Sequence, residues 1–503
     1  MSFETKRGLT ILCGALVLGI AGEVLLRGYP WGVNLGIWVS VLVVLFLVST
    51  LALGYSSDLG AIWLLVPAVI FSAAMAWRDS PTLGLINQIA ACLSLCLVGM
   101  GSKAGRLWLA DVGDYIRSVG AALLRLLLGT LLPFVLQIRW SEAFPSNRQE
   151  LAGSIARGTI YTIPVFSIFA TLFAAADPVF LRLITTWSWQ ELLSTIGAVT
   201  LSSWFGGTIV WHMLSSRQTI QVPDSDAEGN VEMNFRDPLA EGMVVLVALN
   251  ALFLAFVIIQ LQYLFGGKEF IEASVNLTYA EYARRGFFEL VSVAALVLLI
   301  LLVLDGVLVR KGARDEWTFR AAAAVMVGLT FVIIASAIER MRLYQEALGL
   351  TELRVYTFAF MVWIAVLFIW FCLTILRGKR EWFAIGGLVS GFIAVAMLNF
   401  MNPDATIVRA NISRDDFDAG YLAALSAADS VPELMVALPS LPEDTRGILA
   451  HCLLKRWGEA QPDWRSWNAA RSEAVAAIDS RRSQLQNWAP SGDCGVAIRK
   501  KYR

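Results

Sequence analysis

Charged residues are scarce in this sequence. Asp, Glu, Lys and Arg make up 16% of the 503 residues and 57% are hydrophobic, whereas about a quarter of the residues in soluble globular proteins are charged. This composition is typical of a polytopic membrane protein. The 40 basic and 40 acidic residues balance, so the sequence gives no support to a nucleic-acid-binding surface.

Histidine is nearly absent, and so are several motifs of enzymes. His212 and His451 are the only histidines, which gives no support to a histidine-based metal site. The sequence also lacks a P-loop, an HExxH zinc motif and paired CxxC motifs. We therefore expect no metal and no cofactor. Any catalysis would have to rest on carboxylates, so an enzyme is the less favoured class.

Cysteines occur in two settings. Four of the six lie in apolar runs, where a thiol acts as a small hydrophobic group. Cys452 and Cys494 lie in the polar C-terminal region. They can form a disulfide if that region faces an oxidising compartment. Their spacing does not establish the geometry, so two free thiols are the alternative.

Long hydrophobic runs dominate the rest of the chain. Crossing a hydrocarbon core about 30 Å thick takes roughly 20 apolar residues in a helix. Such windows fall near residues 9–26, 33–54, 59–77, 82–101, 158–176, 193–214, 240–265, 287–309, 321–339, 355–376 and 382–400. They predict an all-α, polytopic transmembrane helix bundle of about 11 spans.

The pattern predicts four parts. They are a four-helix N-terminal membrane segment (1–101), a basic amphipathic interfacial region (102–157), a seven-helix membrane core (158–400) and a small soluble helical C-terminal domain (401–503). In the last part, residues 464–485 read as helical.

One segment, residues 119–138, is ambiguous. It is long enough to cross the membrane, but it carries Arg125 and Pro133 and continues an amphipathic segment suited to the membrane surface. If it does not cross and the N-terminus is cytoplasmic, most loop lysines and arginines lie in the cytoplasm; if it crosses, that excess disappears. We therefore predict a cytoplasmic N-terminus and an extracytoplasmic C-terminal domain.

The most unusual polar stretch is NLTYAEYARRGFFELV, residues 276–291. Glu281, Arg285 and Glu289 lie one helical turn apart, so they share a face at the start of a membrane span. Ionisable groups inside a membrane are costly and suggest a function. The alternative is a ladder of salt bridges that neutralise one another and reach the interface.

The predicted topology places further polar residues at the same membrane face, which suggests an outward-facing polar site. Two of these residues have another explanation. Asp177, which precedes Pro178, can be a helix N-cap, and Arg340 can bind lipid phosphates. The candidate binding residues are Asp177, Tyr282, Arg285, Glu289, Arg340 and Tyr344.

Several blocks of sequence resemble one family. They are FAAADPVF (173–180), QLQYLFGG (260–267), TYAEYARRGFFEL (278–290), SAIERMRLYQEALGLTELRVY (336–356), and the C-terminal NPDATIVRANI and DWRSWNAAR. The chain resembles an uncharacterised bacterial family of polytopic membrane proteins, catalogued as a domain of unknown function. The resemblance implies an integral protein of the bacterial inner membrane and supplies no activity or ligand.

Three functions remain open. The leading hypothesis is a protein surrounded by membrane lipids that binds or moves a small solute or a lipid-linked molecule through the polar site. The second is a membrane-embedded transferase acting on an envelope lipid or glycan, with Asp177 or Glu289 as general base; it would need a lateral groove beside a carboxylate. The third is a scaffold or sensor whose C-terminal domain holds a protein partner. If the protein is a transporter, we expect one of its helices to be broken at mid-membrane.

Overall fold

The computed structural model describes most of the chain as helix. The described residues are 2–27, 30–54, 59–98, 110–128, 189–215, 238–265, 287–308, 310, 312–414, 421–422, 425, 427–458 and 463–489. Within these ranges there are 16 α-helices and no strand. The predicted all-α class is therefore confirmed.

The chain forms two compact units, and the first takes in residues 1–220 and 461–472. The helices in its described residues are α1 (Phe3–Leu26), α2 (Val33–Ala52), α3 (Leu65–Ala74), α4 (Pro81–Val98), α5 (Val112–Leu128) and α6 (Trp189–Ser215). A 3-10 helix, Leu59–Leu64, leads into α3. Helix α1 packs against α2 and α6, and α4 packs against α3 and α5.

Small residues allow α1 and α6 to approach closely. A Cβ atom added at Gly19 would lie 1.8 Å from the Ser203 hydroxyl oxygen, and one added at Gly22 would lie 2.3 Å from the Ser202 side chain. Close backbone approach through glycine and serine is a common way of packing helices in membranes. A larger residue at either glycine would separate the two helices.

The second unit takes in residues 221–460 and 473–503. The helices in its described residues are α7 (Pro238–Phe265), α8 (Phe287–Val307), α9 (Ala313–Leu348), α10 (Glu352–Thr374), α11 (Glu381–Met401), α12 (Pro403–Ile412), α13 (Val431–Ala437), α14 (Glu443–Trp457) and α16 (Arg482–Trp488). Helix α15 (Ala469–Asp479) begins in the first unit and ends in the second. Helix α9 packs against α7, α8 and α10.

Six helical segments in the described residues are long and apolar enough to cross a membrane: Thr5–Leu26, Val33–Ala52, Pro81–Val98, Ala313–Glu346, Glu352–Arg377 and Glu381–Met401. Three shorter helical segments are also apolar: Ala61–Ala74, Leu246–Ile258 and Leu290–Gly306. These helices support a multi-pass membrane protein, but they do not confirm the count of about 11 spans.

Three segments of the predicted topology are not settled. Helix α6 covers the window expected at 193–214 but is not among the nine apolar segments above. The span expected at 158–176 lies outside the described residues. Helix α5 runs without a break across residue 119, the predicted start of the ambiguous segment, and residues 129–138 also lie outside the described part.

An ionic cluster around the buried side chains of Asp305 and Arg310 joins the end of α8, the start of α9 and the turn before α11. Arg310, which is 5% exposed, lies 2.9 Å from Asp305 and 3.3 Å from Glu316, and Arg380 lies 3.1 Å from the same Asp305 oxygen. Charges this well buried are tolerated when they are paired. The cluster therefore ties together one end of the hairpins that α8 to α11 form.

The described residues of the C-terminal region are mostly helical, as predicted for this region. Cys452, on α14, is buried and disulfide-bonded, and Cys13, Cys92, Cys96 and Cys372 are free thiols. Cys494 lies outside the described residues, so its pairing with Cys452 stays a prediction. The division of the chain at residues 101, 157 and 400 stays a prediction too.

Candidate functional site

The predicted outward-facing site is only partly described. Asp177, Tyr282 and Arg285 lie outside the described residues. Glu289 belongs to the first turn of α8, but its side chain lies outside the described part as well. Arg340 and Tyr344 lie near the end of α9 and are half-buried.

Helix geometry separates Glu289 from Arg340 along the bundle. Helices α8 and α9 pack together as a hairpin with a short turn. Counted from that turn at about 1.5 Å per residue, Glu289 is level with Phe331, and Arg340 lies roughly 13 Å further from the turn. A single small pocket that holds both side chains therefore stays a prediction. Such a pocket would need residues of another element to span the distance between Glu289 and Arg340.

Tyr344 takes part in closing the turn between α9 and α10. The Arg354 guanidinium lies 4.0 Å from the centre of the Tyr344 ring. It also donates hydrogen bonds to the carbonyl oxygens of Leu348, at 3.1 Å, and of Gly349. These carbonyls lie at the C-terminal end of α9, where no N–H group of the same helix is available to pair with them. The Tyr344 ring thus supports an arginine that caps the helix.

Helix α12 binds the same turn. The Asn411 amide accepts from the Leu350 N–H at 2.7 Å and donates to the Leu350 carbonyl at 2.8 Å. Arg414 donates to the carbonyls of Gln345 and Glu346, at 3.1 and 2.6 Å. Two of the sequence blocks noted above, 336–356 and NPDATIVRANI, therefore meet in one junction.

A second polar centre lies in the first unit, at residues 463–471, which we call the docking segment. The Asp463 carboxylate accepts from the Arg465 N–H at 3.0 Å and starts a 3-10 turn, Trp464–Ser466. Hydrogen bonding to the Arg465 side chain lowers the pKa of Asp463. The Asn468 side chain accepts from the Arg471 N–H at 3.0 Å and so caps the start of α15.

The backbone of the docking segment bonds to helix ends. The Val33 N–H, at the start of α2, donates to the Trp467 carbonyl at 2.9 Å, and the Ala469 N–H donates to the Ala76 carbonyl at 2.8 Å. Gly32 makes this approach possible, because a Cβ atom there would lie 2.3 Å from the Trp467 oxygen. The segment therefore supplies partners that these helix ends lack.

Two side chains strengthen the docking. The Asn468 amide donates to the carbonyls of Met75 and Arg78, at 2.7 and 2.9 Å. The Arg471 Nη2 and Nε atoms lie 2.5 and 2.7 Å from one oxygen of Asp79, and the two side chains are 11% and 10% exposed. Removing either charge would leave the other one buried without this ion pair.

An apolar groove of about 450 Å³ runs beside α2 and is lined by one face of that helix between Val33 and Leu45 and by two alanines, Ala73 and Ala76. The lining hydroxyl, that of Ser40, donates within its own helix to the Gly36 carbonyl at 2.7 Å. The walls therefore offer an apolar ligand a surface without competing polar groups.

The docking segment lies at one end of this groove. Val33 and Ala76 line the groove, and these are the two residues that bond to the Trp467 carbonyl and the Ala469 N–H. That end is therefore bordered by fixed polar backbone, and the walls of the groove are almost entirely apolar from there to Leu45.

Comparison with known families agrees with the resemblance noted from the sequence. The family described as "Domain of unknown function (DUF4153)" matches residues 65–436. The chain belongs to this family. No curated protein and no solved structure matches the chain. The DUF4153 match includes the junction of α9, α10 and α12, whereas α2 and the docking segment lie outside the matched residues.

Sequence reasoning did not find the docking segment as a site. DWRSWNAAR was noted for its resemblance, and residues 464–485 were predicted to be helical. The structure divides this stretch into a 3-10 turn, α15 and α16. Its partners lie some 390 residues away in the chain, and no local pattern reports such a contact. The local signals that were available are the two caps, Asp463 and Asn468.

Replacing Gly32 with Ala tests the docking. The added methyl group would meet the Trp467 carbonyl, so we expect a loss of about 1–3 kcal/mol in the free energy of unfolding, as for other overpacked sites. The measurement is the thermal unfolding midpoint of purified protein in detergent. Gly14→Ala is the matched control, because a Cβ atom there meets nothing within 4 Å. Equal midpoints for the two variants would contradict the docking geometry.

Proposed function

We propose that this membrane protein binds a lipid or a lipid-linked molecule, with an acyl chain in the groove beside α2. The observation that supports the proposal most directly is an apolar groove on a membrane-crossing helix with polar backbone fixed at one end. An amphiphile has the same division into an apolar chain and a polar head.

The length of the groove suits an acyl chain. The lining residues of α2 extend from Val33 to Leu45, which is about 18 Å at 1.5 Å per residue. One leaflet of a hydrocarbon core about 30 Å thick is of similar depth. A small polar solute would lose its hydration in such a groove without gaining hydrogen bonds. An acyl chain is therefore the better ligand.

A transferase is less well supported by the groove. Asp79 is a carboxylate in the turn that follows Ala76, at the end of the groove, but Arg471 holds it through two close contacts. A general base needs to reach a substrate proton, and this carboxylate is already engaged. Binding therefore needs fewer assumptions than catalysis.

The described helices give less support to transport than to binding. The six long apolar segments are each continuous from end to end, whereas many transporters bind their substrates at broken helices near the membrane centre. We therefore favour binding over movement of the ligand.

For the orientation, we propose the inner membrane of a bacterium, with a cytoplasmic N-terminus and an extracytoplasmic C-terminal domain. The disulfide at Cys452 supports an oxidising location for that domain. Arg377, Lys379 and Arg380 cluster in the turn between α10 and α11, and the positive-inside rule favours a cytoplasmic position for such a turn.

Labelling with a photoactivatable phospholipid tests the groove. The probe carries a diazirine in its acyl chain, and peptide mapping locates the attached lipid in protein reconstituted into nanodiscs. We expect labelling within 33–45 and 73–76. Val44→Trp should fill the groove and reduce this labelling by about tenfold, the change that about 1.4 kcal/mol of binding free energy produces.

Val48→Trp is the matched control for the groove. Val48 lies one turn further along α2 and is 54% exposed, against 57% for Val44, but it does not line the groove. Labelling of the groove should survive this change. If both tryptophan variants are labelled as strongly as the unsubstituted protein, the groove is ruled out as the ligand site.

Alkaline phosphatase fusions test the orientation, because this reporter is active only where its disulfides form. A fusion after Arg503 should be active in intact bacterial cells, and a truncated fusion after Lys379 should be inactive. An active Lys379 fusion together with an inactive Arg503 fusion would reverse the proposed topology.

A further inference from the structure

We propose that the docking segment is a membrane anchor whose two tryptophans, Trp464 and Trp467, insert into the lipid headgroup layer. This inference is independent of the ligand in the groove. The two side chains are 60% and 50% exposed, although the backbone that carries them is fixed. Two large exposed indoles three residues apart on a fixed turn are available to a partner.

The hydrogen bonds fix the depth of the segment. Trp467 bonds to the first residue of α2, and Arg465 donates to the Val24 carbonyl, in the last turn of α1, at 3.0 Å. Helix α2 has 20 residues, so it is about 30 Å long, which matches the thickness of the hydrocarbon core. Its first residue therefore lies at the boundary between acyl chains and headgroups, and so does the segment bonded to it.

The chemistry of the neighbouring residues suits this boundary. Tryptophan is enriched where acyl chains meet headgroups, because its ring is apolar and its N–H is a hydrogen-bond donor. The turn after α3 adds Trp77, with the Arg78 guanidinium 4.3 Å from its ring centre. Arginine near this level interacts favourably with lipid phosphates. The partner that fits is the headgroup layer of a phospholipid bilayer.

The proposal explains why a segment far along the chain carries exposed indoles. Its backbone and the side chains of Asn468 and Arg471 hold it on the helix ends, while the indoles of Trp464 and Trp467 remain exposed. The polar side of the segment thus binds protein and its aromatic side binds lipid.

Site-specific photocrosslinking tests the anchor. p-Benzoylphenylalanine is introduced in place of Trp464 or Trp467 in the full-length protein, which keeps an aromatic group and leaves the backbone hydrogen bonds in place. The protein is reconstituted into phosphatidylglycerol and phosphatidylethanolamine vesicles, irradiated and mapped by mass spectrometry. We expect covalent phospholipid adducts at both positions.

The control carries the same crosslinker at Val436 on α13, which is 72% exposed and lies outside the apolar helices described above. The two tryptophan positions should give several-fold more lipid adduct than position 436. Adduct yields that do not exceed this control would overturn the proposal. So would crosslinks to a protein in place of lipid when the experiment is done in native membranes.

Discussion

Backbone polar groups at helix ends must find hydrogen-bond partners, and this requirement shapes both units of the protein. Each helix end leaves backbone N–H or carbonyl groups without partners inside the helix, and near an apolar membrane each unpaired group costs several kcal/mol. In the first unit the docking segment supplies partners to Val33 and Ala76. The groove beside α2 ends at these two residues, so the same bonds define the proposed ligand site.

The second unit meets the same requirement with side chains. Arg354 and Arg414 donate to the last carbonyls of α9, and Asn411 pairs with both polar groups of Leu350. Asn402, which has a positive φ of 51°, accepts from the Ala405 N–H at 3.3 Å and caps α12. Much of the polarity at this end of the unit therefore has a structural explanation. A ligand at Arg340 stays a prediction from the sequence.

The sequence is sufficient to predict what depends on local hydrophobicity. The all-α class and the positions of the long apolar helices follow from runs of apolar residues, and the six long segments each overlap an expected window. The docking segment could not be predicted, because Asn468 and Arg471 look like ordinary polar residues of a soluble helix. Their partners are 390 or more residues distant. The groove could not be predicted either, since it depends on which face of α2 meets alanines.

A double-mutant cycle between Asp79 and Arg471 tests most directly whether the docking segment holds the helix ends. Asp79→Ala, Arg471→Ala and the double variant are compared by unfolding in detergent. Each single change is expected to cost about 3–5 kcal/mol, because it removes the ion-pair partner of a charge that is almost fully buried. The double variant should lose less free energy of unfolding than the two single variants lose together, and the difference should exceed about 1 kcal/mol. Strictly additive losses would contradict the account.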